Sequence, residues 1–262
     1  MNTKGVKAMC LINFSFHAHH RYKLVIAANR DEFYKRPTEK AHYWNDEPDI
    51  LAGRDLLQMG TWLGVTKTGR IAALTNFRDP SMPEAGKLSR GALVRDFLRT
   101  NEAPEVFFHS LVAEDYTGFN LIAGTADELF YYNNIDKRLS IIENGVHGLS
   151  NHFLNTPWPK VMKGKNQLDR YLSEHEELDL GLIFELLADA EQADETDLPN
   201  TGVGLEFEKM LSPMFIKTAD YGTRSSTIVA VDMENNLTFA ERVYKDGVLK
   251  EEQVFNFKIS NP

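Results

Sequence analysis

The sequence has a single cysteine, Cys10, among its 262 residues. One cysteine excludes an internal disulfide framework and is typical of proteins from a reducing compartment. Long apolar runs are also missing: residues 24–28 (LVIAA) have only strand length, far below the roughly 20 residues that span a bilayer. No apolar stretch follows the lysines near the N-terminus, which excludes a secretory signal. The sequence therefore predicts a cytoplasmic protein with no membrane span.

Basic residues are in the minority. The chain has 29 lysines and arginines against 38 aspartates and glutamates, a formal charge of −9. Binding to nucleic acid needs a basic stripe that neutralises phosphates, and binding to anionic lipid needs a basic run. Neither is present, so we expect no nucleic-acid partner. The partner we expect is a small-molecule substrate or ligand with an acidic or amide group. The composition does not distinguish a monomer from a homo-oligomer.

Short apolar stretches bounded by turn residues occur at both ends of the chain, and helical periodicity dominates between them. The pattern predicts a loop at residues 36–49, helices at about 88–98, 105–114 and two more within 160–189, and strands at residues 10–16, 23–29, 61–66, 70–77, 119–124, 128–132, 139–143, 225–232, 237–244 and 253–258. No linker or repeat divides these elements. We expect one α+β domain over residues 10–262, with residues 1–9 as an N-terminal extension or a misassigned start.

The dipeptide Met9-Cys10 gives the lone cysteine a second interpretation. Most free cysteines are small buried hydrophobic residues, and Cys10 begins an apolar strand. If translation starts at Met9, however, removal of the methionine leaves Cys10 at the N-terminus. Its α-amine, with a pKa near about 7.7–8, can then take the thiol proton and release a nucleophilic thiolate. This mechanism requires either that Met9 is the true start or that residues 1–9 are removed.

Four consecutive polar residues, Asn29 to Glu32, follow the second predicted strand without a glycine or proline. They are compatible with a solvated turn. If the first two strands form a hairpin, however, Arg30 approaches Cys10, and an arginine beside a cysteine lowers the thiol pKa and holds an anionic intermediate. Asp31 would orient either that arginine or the α-amine.

Three further residues lie at the ends of strand-like segments: Asn76, Asn151 and Arg224. An asparagine there is either a turn former or an oxyanion donor, and spacing does not separate the two. Trp62, within residues 60–64 (GTWLG), lacks the strand-then-helix context of a phosphate loop and is interpreted as a packing or pocket-wall residue.

The histidines at positions 17, 19 and 20 stand in a predicted hairpin loop without acidic neighbours. Since no metal-ligand spacing occurs in the chain, we interpret this cluster as a solvated loop. The sequence predicts no metal site and no cofactor.

Taken together, the motifs resemble one family. They are Met9-Cys10, residues 28–33 (ANRDEF), Arg36-Pro37, residues 60–64 (GTWLG), residues 73–76 (ALTN) and residues 222–224 (GTR). They resemble the NRDE protein family, also called the transport and Golgi organisation protein 2 family, over nearly the whole chain. That family is similar to the N-terminal-nucleophile hydrolases, especially the cysteine acylases that cleave linear amides.

This resemblance implies a four-layer αββα sandwich of antiparallel sheets with Cys10 as the nucleophile on the first strand. It further implies that Arg30 supports the thiolate, that Asn76 and Asn151 polarise the scissile carbonyl, and that Arg224 is a second arginine of the site. One position departs from the acylase pattern: Phe33 stands where those enzymes have an aspartate. Asp31 or Glu32 must then contact the α-amine, or the contact is absent.

Two hypotheses of function follow. The first is an N-terminal-cysteine amidohydrolase that cleaves a linear carbon–nitrogen bond. The second is a non-catalytic binding or trafficking protein on the same fold, whose ligand is haem or a lipid thioester, as the resemblance to eukaryotic members implies. In that case Arg30 and Arg224 would pair with carboxylates, and Asn29, Glu32 and Trp62 would contribute to the binding site. A third hypothesis is a degenerate fold with a structural or partner role.

Overall fold

Two antiparallel sheets form the centre of the computed structural model, which describes residues 9–79 and 88–260. Within these residues the strands are β1 (Met9–Phe16), β2 (Tyr22–Phe33), β3 (Thr38–Tyr43), β4 (Ile50–Asp55), β5 (Leu63–Thr66), β6 (Ile71–Asn76), β7 (Phe119–Gly124), β8 (Leu129–Asn133), β9 (Arg138–Ile141), β10 (Gly145–Leu149), β11 (Tyr221–Asp232), β12 (Asn236–Lys245) and β13 (Val248–Lys258). The helices are α1 (Arg90–Arg99), α2 (Pro104–Ser110), α3 (Pro159–Glu174), α4 (Leu180–Leu187) and α5 (Leu205–Met210).

The strands form two sheets, which are the two inner layers of the fold. One sheet has the order β10-β1-β2-β11-β12-β13, and the other runs β3 to β9 in sequence order. The first sheet combines strands from both ends of the chain, because β2 pairs with both β1 and β11. Residues with positive φ, Asn235 and the pair Asp246-Gly247, form the turns that join β11, β12 and β13.

Three apolar clusters hold the layers together. Side chains such as Phe14 and Phe239 fill the space between the two sheets, and each fully buried side chain of this kind contributes roughly 1.5–3 kcal/mol. Phe97 and its neighbours on α1 and α2 cover the outer face of the seven-stranded sheet. On the opposite side, Phe184 and other residues of α3 and α4 cover the six-stranded sheet. The fold is therefore an α+β, four-layer αββα sandwich with antiparallel sheets, which confirms the sequence prediction.

Several local predictions differ from the structure. Residues 36–49 contain β3, an edge strand whose residues are mostly exposed or half-buried and so lack an apolar alternation. β4 and the short helix α5 were also missed. Met9 belongs to β1 and is buried, and residues 1–8 of the expected N-terminal extension lie outside the described part.

The histidine-bearing turn between β1 and β2 is more ordered than a solvated loop. His19 is buried, its Nδ1 accepts a hydrogen bond from the Arg21 backbone amide, and its Nε2 lies 3.1 Å from the His175 carbonyl oxygen. The prediction of a solvated loop is wrong at this residue, because the turn packs against the C-terminal end of α3.

Among the described residues, no helix combines the length and apolar character needed to cross a membrane.

The two glycines of the GTWLG segment permit close packing against α1. A Cβ atom at Gly60 would lie 2.5 Å from the carbonyl carbon of Gly91 in the first turn of α1, and one at Gly64 would lie 2.9 Å from Leu98 Cδ1. The Thr61 backbone amide donates a hydrogen bond to the Gly91 carbonyl oxygen at 3.2 Å. This segment therefore fixes where α1 begins.

We expect the Gly60→Ala substitution to lower the free energy of unfolding by about 1–3 kcal/mol, because its methyl group would overlap backbone atoms that have no rotamer to adopt. Urea unfolding followed by circular dichroism measures this change. Leu57→Ala, an exposed position in the same turn, is the control and should change stability by less than about 0.5 kcal/mol. Equal stabilities of the Gly60→Ala and wild-type chains would contradict this packing.

Candidate functional site

The pairing of β1 with β2 brings Cys10 directly opposite Arg30 at one end of the six-stranded sheet. A cavity of about 700 Å³ opens at this end, with walls from both sheets and from the start of α1. Of the residues predicted from the sequence, seven line it: Cys10, Arg30, Asp31, Glu32, Trp62, Asn76 and Arg224. The structure thus brings most of the predicted set together around one cavity.

Alternation along β2 divides the polar run at residues 29–32 between the two faces of the sheet. The side chains of Arg30 and Glu32 lie on the cavity side. Asn29 faces the helices instead: its Nδ2 donates to the carbonyl oxygens of Leu187 and Met214, both at 2.8 Å, and its Oδ1 accepts from Ser226 Oγ at 2.6 Å. The Asn29 side chain therefore joins β2 to β11 and to the α4 layer and is not part of the cavity lining; its contribution to ligand binding stays a prediction.

Asp31 contributes to the cavity lining, but it is fully buried, and the alternation along β2 directs its carboxyl group away from Arg30, at the position opposite Met9. Its Oδ1 accepts a hydrogen bond from Thr223 Oγ1 at 2.7 Å. Its Oδ2 has no hydrogen-bond partner among the described residues. Burial raises the pKa of Asp31, and the positive charge of Lys160 opposes that rise. A buried acceptor without a donor marks a place where another polar group fits.

Glu32 links two arginines at the cavity wall. Its Oε2 lies 3.6 Å from both Arg30 Nη2 and Arg36 Nε, while Arg36 Nε also contacts Asp55 Oδ2 at 2.5 Å. The Glu32 contact to Arg30 is longer than a charge-assisted hydrogen bond, so the guanidinium retains donors for an anionic group in the cavity. Arg30 is thus the arginine best placed to act on Cys10.

Asn76 and Asn151 have different positions relative to the cavity. Asn76 ends β6 and lines the cavity. Asn151 is buried behind it, and its Nδ2 donates to the Asn76 backbone carbonyl at 2.8 Å. Ser150 Oγ lies 2.9 Å from the Cys10 carbonyl oxygen and 3.0 Å from Asn151 Oδ1. Asn151 therefore connects Asn76 with Ser150 beside β1 and is not part of the cavity lining, while the carbonyl-polarising role that the resemblance implies for it stays a prediction.

Arg224 lies at an irregularity of β11, where the pairing with β2 shifts between Thr223 and Ser225. Its Nη1 donates to three backbone carbonyls, those of Phe33, Tyr34 and Arg36, at 2.9, 3.3 and 3.0 Å. The guanidinium therefore shapes the segment that follows β2, besides lining the cavity.

Two aromatic residues complete the walls. Trp62 lines the cavity and packs against the apolar core between the sheets. Phe33, at the position that departs from the acylase pattern, lines the cavity and packs edge-on against Tyr221, with ring centroids 5.2 Å apart. With an apolar ring at this position, the carboxylate closest to the start of β1 in the strand pairing is that of Asp31, opposite Met9.

Sequence reasoning missed Glu241, a buried residue of β12 that lines the cavity. Its Oε1 accepts a hydrogen bond at 2.6 Å from the backbone amide of Ala41, next to a register shift between β3 and β4. Burial raises the pKa of Glu241 to about 7. The signal was present in the alternation of β12, because Leu237, Phe239 and Glu241 occupy successive positions on one face.

The environment of the Cys10 thiol keeps it protonated while Met9 precedes it. Burial raises its pKa to about 12, the charge of Asp31 adds to the rise, and Arg30 opposes it. The side chain of Met9 is buried with Leu211, Ile216 and Tyr221, and its backbone amide donates to Tyr221 Oη at 2.6 Å. Arg30 alone does not offset the cost of burial in this arrangement.

The fold is similar to that of the N-terminal-nucleophile hydrolases. A mutant conjugated bile acid hydrolase from Clostridium perfringens matches with a TM-score of 0.52 and 9% identity, over 97% of this chain and 98% of that one. An N-acylethanolamine-hydrolyzing acid amidase ortholog from Caenorhabditis elegans matches with a TM-score of 0.50 and 10% identity, over 84% of this chain and 92% of that one. At these identities the likeness concerns the fold alone.

More specifically, the chain belongs to the family described as Transport and Golgi organisation 2, whose model matches residues 9–246. The Transport and Golgi organization protein 2 homolog of Bos taurus is 35% identical over 256 residues, which cover 89% of this chain and 92% of that protein. The homolog of Homo sapiens is 34% identical over 277 residues, covering 97% of this chain and all of that protein. These matches confirm the resemblance drawn from the motifs.

Glu241 should give the fold a pH dependence whose sign follows from its raised pKa. Between its ordinary value of 4.5 and about 7, the folded chain binds a proton that the unfolded chain has lost, so stability falls as pH rises through this window. The side chain of Glu241→Gln is neutral in both states. We therefore expect the free energy of unfolding of this variant to fall by roughly 2–4 kcal/mol less than that of the wild type across the window.

Urea unfolding of both chains at a series of pH values from about 4.5 to 8 measures the difference. Glu128→Gln, at an exposed position, is the matched control and should follow the wild type. A Glu241→Gln chain that loses as much stability across the window as the wild type would refute a buried, protonated Glu241.

Proposed function

We propose that this protein is an N-terminal-cysteine amidohydrolase that cleaves a linear carbon–nitrogen bond once Cys10 is its first residue. One observation carries the proposal: the chain's only cysteine lines the cavity opposite Arg30, and the residue paired with Met9 is a buried aspartate whose Oδ2 has no hydrogen-bond partner among the described residues. An α-amine at Cys10 would begin beside that carboxylate. The reaction class is taken from the two solved structures that share the fold, which are named as a hydrolase and an amidase.

The need for a free N-terminus follows from the thiol. With Met9 attached, burial raises the pKa of Cys10 to about 12, which leaves almost no thiolate at neutral pH. Removal of Met9 replaces a backbone amide by an amine that can accept the thiol proton. The family match begins at Met9, which supports Met9 as the start of the functional chain and Cys10 as its first residue after methionine removal.

The reaction then proceeds in two balanced steps. The thiol proton moves to the α-amine, the thiolate attacks the amide carbon, and a carbon–sulfur bond forms. As the carbon–nitrogen bond breaks, the ammonium returns its proton to the leaving amine, and a thioester remains on Cys10. Water then attacks the thioester with its proton taken by the α-amine; the carbon–sulfur bond breaks, the acid leaves, and the proton returns to the thiolate.

Two cavity residues have defined tasks in these steps. The Asn76 amide is the donor on the cavity wall suited to the developing oxyanion, with Asn151 bound to its backbone carbonyl from behind. Arg30, opposite Cys10, stabilises the thiolate and the anionic intermediate. Glu32 remains close to Arg30 and restrains its guanidinium.

We expect the chain that begins at Cys10 to hydrolyse members of a panel of linear amides, lactams and thioesters, and to accumulate an acyl adduct detectable by intact mass. Cys10→Ala should abolish both signals. Asn76→Ala should lower kcat by about 100- to 1,000-fold, the usual effect of losing one oxyanion donor.

Intact mass of the protein made from its native gene supplies the decisive check. A mass that begins at Cys10 agrees with the proposal. Retention of residues 1–9, together with no hydrolysis by a chain beginning at Cys10, would rule the mechanism out.

The cavity itself favours a second candidate, a binding protein for an apolar ligand that carries an acidic group, such as haem or a lipid thioester. Its volume of about 700 Å³ lies within the roughly 300–1,000 Å³ of small-molecule sites, and its walls combine Trp62 with Arg30 and Arg224.

In that case Arg30→Ala should weaken binding in a haem titration by roughly 10- to 150-fold, the equivalent of one charge-assisted hydrogen bond. Cys10→Ala and Arg224→Ala test the two other candidate contacts. Arg138→Ala, exposed and outside the cavity lining, serves as the control. Equal affinities for all four variants and the wild type would exclude this cavity as the haem site.

A further inference from the structure

Among the described residues near the start of β1, two buried charged side chains each have an atom without a hydrogen-bond partner: Lys160 Nζ and Asp31 Oδ2. Lys160 is only 3% exposed and Asp31 is fully buried. Lysine and aspartate are almost never buried to this degree without a partner. Lys160 has no part in the mechanism above, so its burial requires a separate explanation.

The packing of α3 places Lys160 at the start of β1. A Cβ atom at Gly164 would lie 2.3 Å from Asn13 Nδ2, which shows how closely α3 lies on β1. Lys160 is one helical turn before Gly164, in the first turn of α3, and so lies toward Met9 and its pairing partner Asp31. Both orphan atoms therefore belong to the same buried region beneath the first residues of β1.

Other charges in this region are already paired with one another. Arg78 Nη1 contacts Glu208 Oε2 of α5 at 2.7 Å, and Arg30 lies 3.6 Å from Glu32 on β2. Tyr221 of β11 is neutral, since burial raises the pKa of its phenol well above the ordinary value. Asp31 and Lys160 remain, and the strongest charge interaction of each is with the other.

We propose that Lys160 is a positioning residue that keeps the α-amine of Cys10 in its neutral, basic form by balancing the negative charge of Asp31. This inference rests on the proposed function, because it concerns the amine that exists only when Cys10 is the first residue. A carboxylate alone beside that amine would hold it as an ammonium, which cannot accept the thiol proton. A second cation in the same buried region disfavours the ammonium and leaves the amine free to act as the base.

The experiment uses the chain that begins at Cys10, labelled with ¹³C and ¹⁵N only in cysteine. Since there is one cysteine, a single set of NMR signals reports the titration of its amine. We expect Lys160→Met to raise the midpoint of that titration by about one pH unit or more, a tenfold gain in proton affinity. The acidic limb of the pH profile of kcat/KM should move by the same amount, because activity requires the neutral amine.

Two variants separate charge from packing. Lys160→Arg keeps the charge and should hold the midpoint within about 0.3 pH units of the wild type. Lys165→Met removes a lysine that is not fully buried from the same helix and should behave likewise. An unmoved midpoint in a folded Lys160→Met chain would overturn the proposal.

If Lys160→Met does not fold, Asp31→Asn decides the question. With the carboxylate neutralised, Lys160 acts unopposed and the midpoint should fall by about one pH unit; an unchanged midpoint contradicts the proposal. The two proposals fail separately. Hydrolysis with an unmoved midpoint refutes the role of Lys160 alone, whereas a moved midpoint without hydrolysis in any chain refutes the proposed function and upholds the coupling of Lys160 to the amine.

Discussion

The antiparallel pairing of β1 with β2 is the constraint on which the rest of the site depends. It sets Cys10 against Arg30 and Met9 against Asp31, two adjacent pairs whose side chains point to opposite faces of one sheet. The first pair faces a cavity, and the second is buried, with Met9 packed against Leu211, Ile216 and Tyr221. A shift of the register by one residue would exchange these faces, so the chemistry of the nucleophile and that of its base are set by the same ladder of hydrogen bonds.

Polar contacts around this pair join the two sheets. Ser150, just after β10, lies within hydrogen-bond distance of the Cys10 carbonyl, and its own carbonyl accepts a 2.5 Å hydrogen bond from Thr75 Oγ1 of the other sheet. Asn151 extends the same contacts to Asn76. Because buried polar groups with satisfied partners rigidify their surroundings, β1 and the end of β6 are held in a fixed relation across the cavity. The nucleophile and the oxyanion donor of the proposed reaction are thus placed on separate sheets without relying on a flexible loop.

Much of the fold could be predicted from the sequence, because the alternation of apolar residues identified most strands and the motifs indicated the sandwich. The approach of Arg30 to Cys10 followed from the hairpin alone. Which members of the polar run at residues 29–32 face the cavity depends on register, which composition does not reveal; the position of Asn29 among the helix-facing contacts could not be predicted for that reason. The burial of Lys160 could not be predicted from the sequence, since it arises from the packing of α3 on a strand nearly 150 residues earlier in the chain. Glu241, by contrast, was recoverable from the alternation of β12.

The family to which the chain belongs is established, and the central claim that remains is that the N-terminus controls the reactivity of Cys10. The most direct measurement is the rate of alkylation of this single cysteine as a function of pH, in the 262-residue chain and in the chain that begins at Cys10. We expect the shorter chain to react at least about ten times faster at neutral pH and to reach a plateau as its amine loses its proton, while the longer chain reacts slowly and keeps accelerating up to high pH. Identical rates and pH dependence in the two chains would contradict it.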